Sequence, residues 1–145
     1  MPIQENMSLV RKYYDSFNSR KFDEGRVFID NSCEFINPVF GTNLKGPDGY
    51  KKGFEVWLKA FPDGKVKINN IIAGEDFVAV EFTGSGNNTG TLSTPQGEIK
   101  PTRKLVNLPF CEVLNIKSGK IVRSVLYYDL ASMLRQMGVL AEVKH

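Results

Sequence analysis

Along the chain, apolar positions first recur at helical spacing and later alternate. Met7, Val10, Tyr14 and Phe17 lie three or four residues apart, which predicts a helix from Gln4 to Ser19, ended by the polar pair Asn18-Ser19. Asp23 is placed to cap a short second helix over Glu24 to Asp30. Ser32 to Asn37 reads as a strand, broken by Pro38 and Gly41. Gly46-Pro47 opens a third helix, because proline fits the first turn, where its missing N–H has no partner to lose. Tyr50, Phe54, Trp57, Leu58 and Phe61 form its apolar stripe, and Phe61-Pro62-Asp63-Gly64 closes it with a turn.

From there the period shortens to two. Lys65 to Ile72 and Phe77 to Gly84 flank the turn Gly74-Glu75-Asp76, with Val78, Val80 and Phe82 on one face. A glycine- and asparagine-rich stretch runs from Gly84 to Gly90, and Thr91 to Pro101 reads as a loop or an irregular hairpin. Lys104 to Ile116 is a long strand, with Pro109 as a possible bend, and Lys117-Ser118-Gly119 turns it into a last strand, Lys120 to Tyr128. Asp129 then precedes a final helix, Leu130 to Met137, stopped by Gly138. Helices followed by a meander of four long strands define an α+β fold: a cone of curved antiparallel sheet with three to four helices over its concave face. Such a cone holds an apolar pocket at its mouth.

Composition narrows the function. At 145 residues, 41% hydrophobic and 24% charged, the chain fits a single domain, 1–145, with a buried core. Its ten Phe, five Tyr and one Trp are enough to line a cavity as well as fill a core. The net charge of +3 comes from scattered residues with no basic run, so no nucleic-acid partner is expected. No stretch reaches the roughly 18 apolar residues of a membrane helix, and the polar N-terminus lacks an apolar signal core. A cytoplasmic protein with no membrane partner is expected. Cys33 and Cys111 lack metal spacing and sit in apolar runs, as small buried hydrophobes do. The only histidine is the last residue, His145. Histidine-based catalysis and a histidine-based metal site are therefore not expected, and proton chemistry falls to carboxylates, tyrosines, lysines or water.

Two carboxylates stand out. On the strand Lys104 to Ile116, one face reads Val106, Leu108, Phe110, Glu112, Leu114, Ile116. If that alternation holds, Glu112 is a lone acid on an apolar face, where burial raises a carboxyl pKa toward the range useful for proton transfer. If parity slips at Pro109, Glu112 faces water. Asp129 follows Tyr127-Tyr128. It is either an acid at the cone's mouth, made less acidic by desolvation, or the N-cap of the last helix, made more acidic by backbone N–H groups. Trp57 and Phe61 read as core anchors or as pocket walls. Tyr13 and Tyr14 are adjacent on a helix, so one of them at most is expected to face a pocket. Asn88 reads as a turn residue or a polar pocket group.

The order of motifs in the second half resembles the SnoaL-like polyketide cyclases. That family carries Phe-Pro-Asp after a helix, then a Gly-Thr-His-x-Gly element, Pro-Thr-Gly, Gly-Lys-Ile, an Asp, and a helix ending Gln-Leu-Gly. This chain has Phe61-Pro62-Asp63, then Gly86-Asn87-Asn88-Thr89-Gly90, Pro101-Thr102-Arg103, Gly119-Lys120-Ile121, Asp129 and Gln136-Met137-Gly138. The segment from Tyr13-Tyr14 to Asn18 is similar to the family's first helix. The resemblance implies the nuclear-transport-factor-2-like cone, the cystatin-like roll shared with ketosteroid isomerases. It also implies an intramolecular aldol closure of a polyketide ester without metal or cofactor, with Asp129 at the position of the family's catalytic Asp. Asn88 stands where the family has His, and Arg103 where it has Gly. Ketosteroid isomerases carry an Asp-Pro-Val motif, but here the segment is Asn37-Pro38-Val39.

The expectation is thus a cofactor-free cyclase-type enzyme acting on a small apolar carbonyl compound. Asp129 would be its acid/base and Asn88 an oxygen ligand. Tyr14, Trp57, Phe61, Phe110, Glu112 and Tyr127 would form the binding wall, with no metal. The alternative is a non-catalytic small-molecule binder or a dimeric interaction protein of the same fold. A homodimer is expected under either.

Overall fold

The computed structural model describes residues 2–140. His145 lies outside them. Helix α1, Ile3–Ser19, runs to Arg20, which caps it in the left-handed conformation. Helix α2 is one turn, Phe22–Gly25, and passes through a 3-10 turn, Arg26–Phe28, into strand β1, Ile29–Asn37. The second helix is therefore shorter than its sequence suggests, because Ile29 is drawn into the core opposite Ile121 of the last strand. A short strand without a sequence signal follows, β2, Thr42–Lys45. Helix α3 spans Gly46–Ala60, with Pro47 in its first turn as expected.

Strands β3, Lys65–Ala73, and β4, Phe77–Asn87, form the first hairpin. The segment that reads as a loop or an irregular hairpin contains a small two-stranded sheet, β5, Leu92–Thr94, with β6, Gly97–Ile99. Strand β7, Leu105–Lys117, pairs with β8, Lys120–Tyr128, and helix α4, Leu130–Gln136, closes the described chain. The large sheet has the order β2-β1-β8-β7-β4-β3. It is mixed rather than wholly antiparallel, because β1 enters alongside β8 in parallel while every other pair is antiparallel. The parallel join brings the β1 end of the sheet under α3 and lets the helices cover the concave face.

Parity does not slip at Pro109. That residue pairs with Thr83 in an unbroken β4–β7 register, while the β7–β8 ladder ends one residue later, at Phe110 opposite Tyr128. Pro109 therefore sits just outside the β8 ladder, where a missing N–H costs least. Val106, Leu108, Glu112, Leu114 and Ile116 are all buried, with Phe110 half-buried beside them. Two apolar clusters result. One lies under α1 and includes Val10, Ile29, Val78, Val80, Leu114 and Ile121. The other joins the end of α3, the β5–β6 hairpin and α4 through Ala60, Leu92, Val106, Leu108, Met133 and Met137. Cys33 belongs to the first cluster, whereas Cys111 points to the outer face and is only half-buried.

Asn88 ties the second cluster together. It is fully buried, and its side chain uses all four hydrogen-bonding positions. Nδ2 donates to Ala60 O at 3.1 Å and Gly90 O at 3.0 Å, while Oδ1 accepts from Thr102 N and Thr102 Oγ1, both at 2.8 Å. One amide thus clamps both ends of the hairpin excursion to the end of α3. The chains approach so closely that a Cβ on Gly90 would stand 1.7 Å from Lys59 O. Asn88→Ala leaves Gly90 O and Thr102 N without their partner, while Ala60 O keeps the bond from Gly90 N, and at about 1 kcal/mol per orphaned group should destabilise the fold by about 2 kcal/mol. Urea denaturation checks this, and a loss under about 1 kcal/mol would contradict the clamp.

Candidate functional site

A cavity of about 440 Å³ opens between the concave face of the sheet, α1 and α3. Its wall is mostly aromatic. Phe82 and Phe110 stack with centroids 5.1 Å apart at an interplanar angle of 2°. Trp57 meets Phe110 and Tyr128 edge-on at 5.9 and 5.6 Å and stacks on Phe40 at 5.9 Å. Phe54, Trp57 and Phe110 are half-buried, although each belongs to an apolar stripe. Helix α3 presents Phe54 and Trp57, and β7 presents Phe110, to an opening instead of to a filled core.

Glu112 sits on this wall, 5% exposed. Three hydroxyls converge on its carboxyl group. Tyr14 Oη donates to Oε1 at 2.6 Å, Tyr13 Oη to Oε2 at 3.0 Å, and Ser124 Oγ to Oε2 at 2.5 Å. Both tyrosines reach the acid although they are adjacent on α1, which corrects the expectation that only one faces the pocket. A carboxyl group offers two oxygens, and the phenols approach one each, with rings edge-to-face at 5.2 Å. Ser124 arrives from β8, whose register sets it opposite Leu114, one inward position along from Glu112. Burial raises the Glu112 pKa above the ordinary carboxylate value, and the hydrogen bonds from Ser124, Tyr14 and Tyr13 pull the other way. Both tyrosines are pushed well above the usual phenol range, first by burial and then by the charge of Glu112. Burial, with Glu112 next in effect, also pushes the Cys33 thiol up to about 12.

The other sequence-singled residues divide. Tyr14, Trp57, Phe61, Phe110 and Glu112 all line the cavity. Asp129 does not: it is exposed and caps α4, with Oδ1 accepting from Ser132 N at 3.3 Å and Oδ2 from Ser132 Oγ at 2.7 Å. Those bonds, the Oγ bond foremost, lower its pKa. Asn88 lies behind the wall with its amide fully engaged by the hairpin clamp. Tyr127 is 50% exposed on the outer face, because the register opposite Cys111 turns it away, and it is Tyr128 that points inward with Leu126 and Ser124. Ser124 and Tyr128 carried no site signal in the sequence, and Asn37 drew notice only as the residue standing where ketosteroid isomerases carry the Asp of their Asp-Pro-Val motif. Reading β8 in phase with Glu112 would have found Ser124, since a Glu112-facing row continues through alternate residues of the paired strand.

Among the described residues, no three His, Cys, Asp or Glu side chains form a metal-sized group. No helix among them is long and apolar enough to cross a membrane.

Solved structures with the same fold extend over nearly the whole chain. AclR from Streptomyces galilaeus superposes with a TM-score of 0.79 at 22% identity, covering 99% of this chain and 87% of its own. A SnoaL-like protein from Jannaschia sp. CCS1 gives 0.83 at 16%, covering 96% and 95%. A protein of ketosteroid isomerase-like fold from Catenulispora acidiphila gives 0.75 at 16%, covering 91% and 93%. No curated protein matches the chain in sequence. The family model of SnoaL-like polyketide cyclases matches residues 7–137, a span that holds most of α1, the whole sheet and the Glu112 cluster. The chain belongs to the SnoaL-like polyketide cyclase family.

Proposed function

We propose that the cavity binds a small apolar carbonyl compound and performs cofactor-free acid–base chemistry on it, with Glu112 as the proton carrier. The observation behind this reading is a buried carboxyl group on an aromatic wall, the one buried acid among the described residues, met by two phenols and a serine. As a carboxylate, Glu112 takes a hydrogen from the carbon next to a bound carbonyl. The C–H electron pair moves into the enolate and the proton stays on Glu112. The protonated acid then donates to a tyrosine oxygen, and that phenol turns its own O–H toward the enolate oxygen. If the enolate carbon attacks a second carbonyl in the same molecule, a C–C bond forms and the new alkoxide takes the proton back. That sequence is an aldol-type ring closure and needs only the groups on the wall. In this reading Asp129 and Asn88 hold structure, Asp129 as a helix cap and Asn88 as a clamp. A second reading, a non-catalytic binder, draws support from the fact that both Glu112 oxygens already have protein donors.

For the assembly we propose a homodimer. Ile72, Phe77, Leu105 and Tyr127 are exposed, and strand parity puts all four on the outer sheet face, where a second copy of the same face would cover them.

Hydrogen exchange from D2O into the α-position of aromatic methyl ketones and β-keto esters, followed by NMR, tests the chemistry. Glu112→Gln should slow exchange at least about a hundredfold, while Asp129→Asn, which keeps a good N-cap, should retain it. Loss in Asp129→Asn alone would move the role to Asp129, and binding without exchange in the wild type would leave the binder reading. The raised pKa of Glu112 has its own sign. The native state holds this proton more tightly than the unfolded chain, so its stabilising contribution is complete below the unfolded value, about 4.3. It is lost as pH rises through the higher folded value. The stability advantage of wild type over Glu112→Gln, measured by urea denaturation, should therefore shrink from acid to neutral pH, and an unchanging difference would contradict it. Sedimentation velocity should show a dimer, and Tyr127→Lys with Leu105→Lys should shift it to monomer. A monomeric wild type would end the dimer proposal.

A further inference from the structure

The proton chemistry above leaves Asn37 unused, a half-buried polar residue at the end of β1 that lines the cavity. Its place follows from register. Glu112 pairs with Leu126 across β7 and β8, and Ile36 pairs with Val125 across β1 and β8, which puts Asn37 level with Leu126. Glu112, Leu126 and Asn37 therefore form one row across three strands. The outer two are separated by two strand spacings, roughly 10 Å. Phe35, two residues before Asn37, also lines the cavity, and the two share a face by alternation. Two polar stations thus flank an apolar middle.

The amide of Asn37 is oriented. Phe40 N can only donate, and it donates to Oδ1 at 3.2 Å. The Tyr128 hydroxyl lies 3.1 Å from Nδ2 and 3.2 Å from Oδ1, and burial pushes its pKa upward, so it stays a phenol. Of the two N–H groups on Nδ2, at most one is spent on Tyr128, and the other has no protein acceptor among the described residues. A half-buried amide donor, held by two partners on a cavity wall, is left to bond something that enters.

We infer that Asn37 is a specificity-determining residue: it donates its spare N–H to an acceptor oxygen of the ligand, with Tyr128 as the positioning residue that holds the amide. The ligand class is a flat apolar body with oxygen functions at two ends, a carbonyl at Glu112 and an acceptor oxygen at Asn37. This rests on the cavity being the site of a small carbonyl compound, as proposed above.

The test uses two probes of equal size, naphthyl methyl ketones with either a methoxy or an ethyl group on the far ring. Both are titrated by calorimetry into the full-length protein. The methoxy oxygen accepts a hydrogen bond and the ethyl group does not. The methoxy-to-ethyl affinity ratio should fall about tenfold, the worth of one good hydrogen bond, in Asn37→Asp. That variant keeps the acceptor for Phe40 and replaces the donor. The ratio should also fall in Tyr128→Phe, which a residue serving only to pack α4 and β8 would not cause. An unchanged ratio in Asn37→Asp overturns the inference. Should that variant fail to fold, an unchanged ratio in Tyr128→Phe overturns it instead. If the wild type binds both ketones without distinguishing the variants, the Asn37 station alone falls. If it binds neither ketone, the carbonyl-site reading falls and takes this inference with it.

Discussion

The structure turns on burying one carboxyl group. Glu112 lies at the centre of a sheet face that is otherwise apolar, and an unpaired charge there would cost several kcal/mol. Its three hydroxyl partners come from elements far apart in sequence: Tyr13 and Tyr14 from α1, Ser124 from β8. Satisfying the acid therefore fixes how α1 lies across the sheet and how β8 registers against β7. Shifting β8 by one residue would turn Ser124 away from Glu112 and carry Leu126 and Tyr128 to the outside with it. The polar cluster specifies the packing as much as the apolar contacts around it do.

The same constraint explains why the core stays open. With hydroxyls and a carboxyl group at its floor, the space above Glu112 is not a place for another aliphatic side chain. The neighbouring positions hold rings too large to interdigitate fully. Phe82 and Phe110 stack flat, Trp57 stands on edge, and Tyr50 and Phe54 meet edge-on at 4.7 Å. Stability comes from the filled regions to either side: the aliphatic cluster under α1, and the cluster of α4 and the β5–β6 hairpin. The hairpin cluster hangs on Asn88, whose amide replaces backbone pairing that the excursion from β4 to β7 lacks. A residue with no place on the wall thus holds up the structure beside it.

Much of the fold was legible in the sequence. Alternation offered Glu112 as a lone acid on the apolar face of β7, with solvent as the alternative had parity slipped at Pro109, and the stripe of α3 put Trp57 and Phe61 on one face. The parallel pairing of β1 with β8 was not legible, since periodicity carries no information on strand order. Nor was β2, whose four residues Thr42–Lys45 alternate too briefly to register. The partners of Glu112 escaped because they depend on register between strands 12 residues apart and on a helix nearly 100 residues away. Tyr127 was expected on the wall, but the pairing of Tyr127 with Cys111 turns it outward and Tyr128 inward, a register that local sequence does not carry. Arg103 is explained by its backbone: at φ 61° it occupies the left-handed region, where the family's glycine is at ease, and its exposed side chain leaves the cavity wall untouched.

Motif position and cavity position come apart in this chain, and the local geometry accounts for it. Asp129 occupies a place in the motif order where the resemblance implies a catalytic acid. Yet the residue that begins a short helix after an inward-facing strand end is also the residue whose carboxylate the helix N–H groups attract. Ser132 completes that attraction with two bonds, and the acidity of Asp129 moves away from what proton transfer to carbon requires. Asn88 is likewise held by four backbone or hydroxyl contacts that leave it nothing to offer a ligand. Glu112 and Asn37 have the opposite character. One is made a stronger base by burial, the other keeps a donor unspent, and both face the same enclosed space. Their shared row across β7, β8 and β1 depends on strand pairing that no local motif encodes. The chemistry available to a member of this family thus follows from the residues its sheet register brings to the cavity wall.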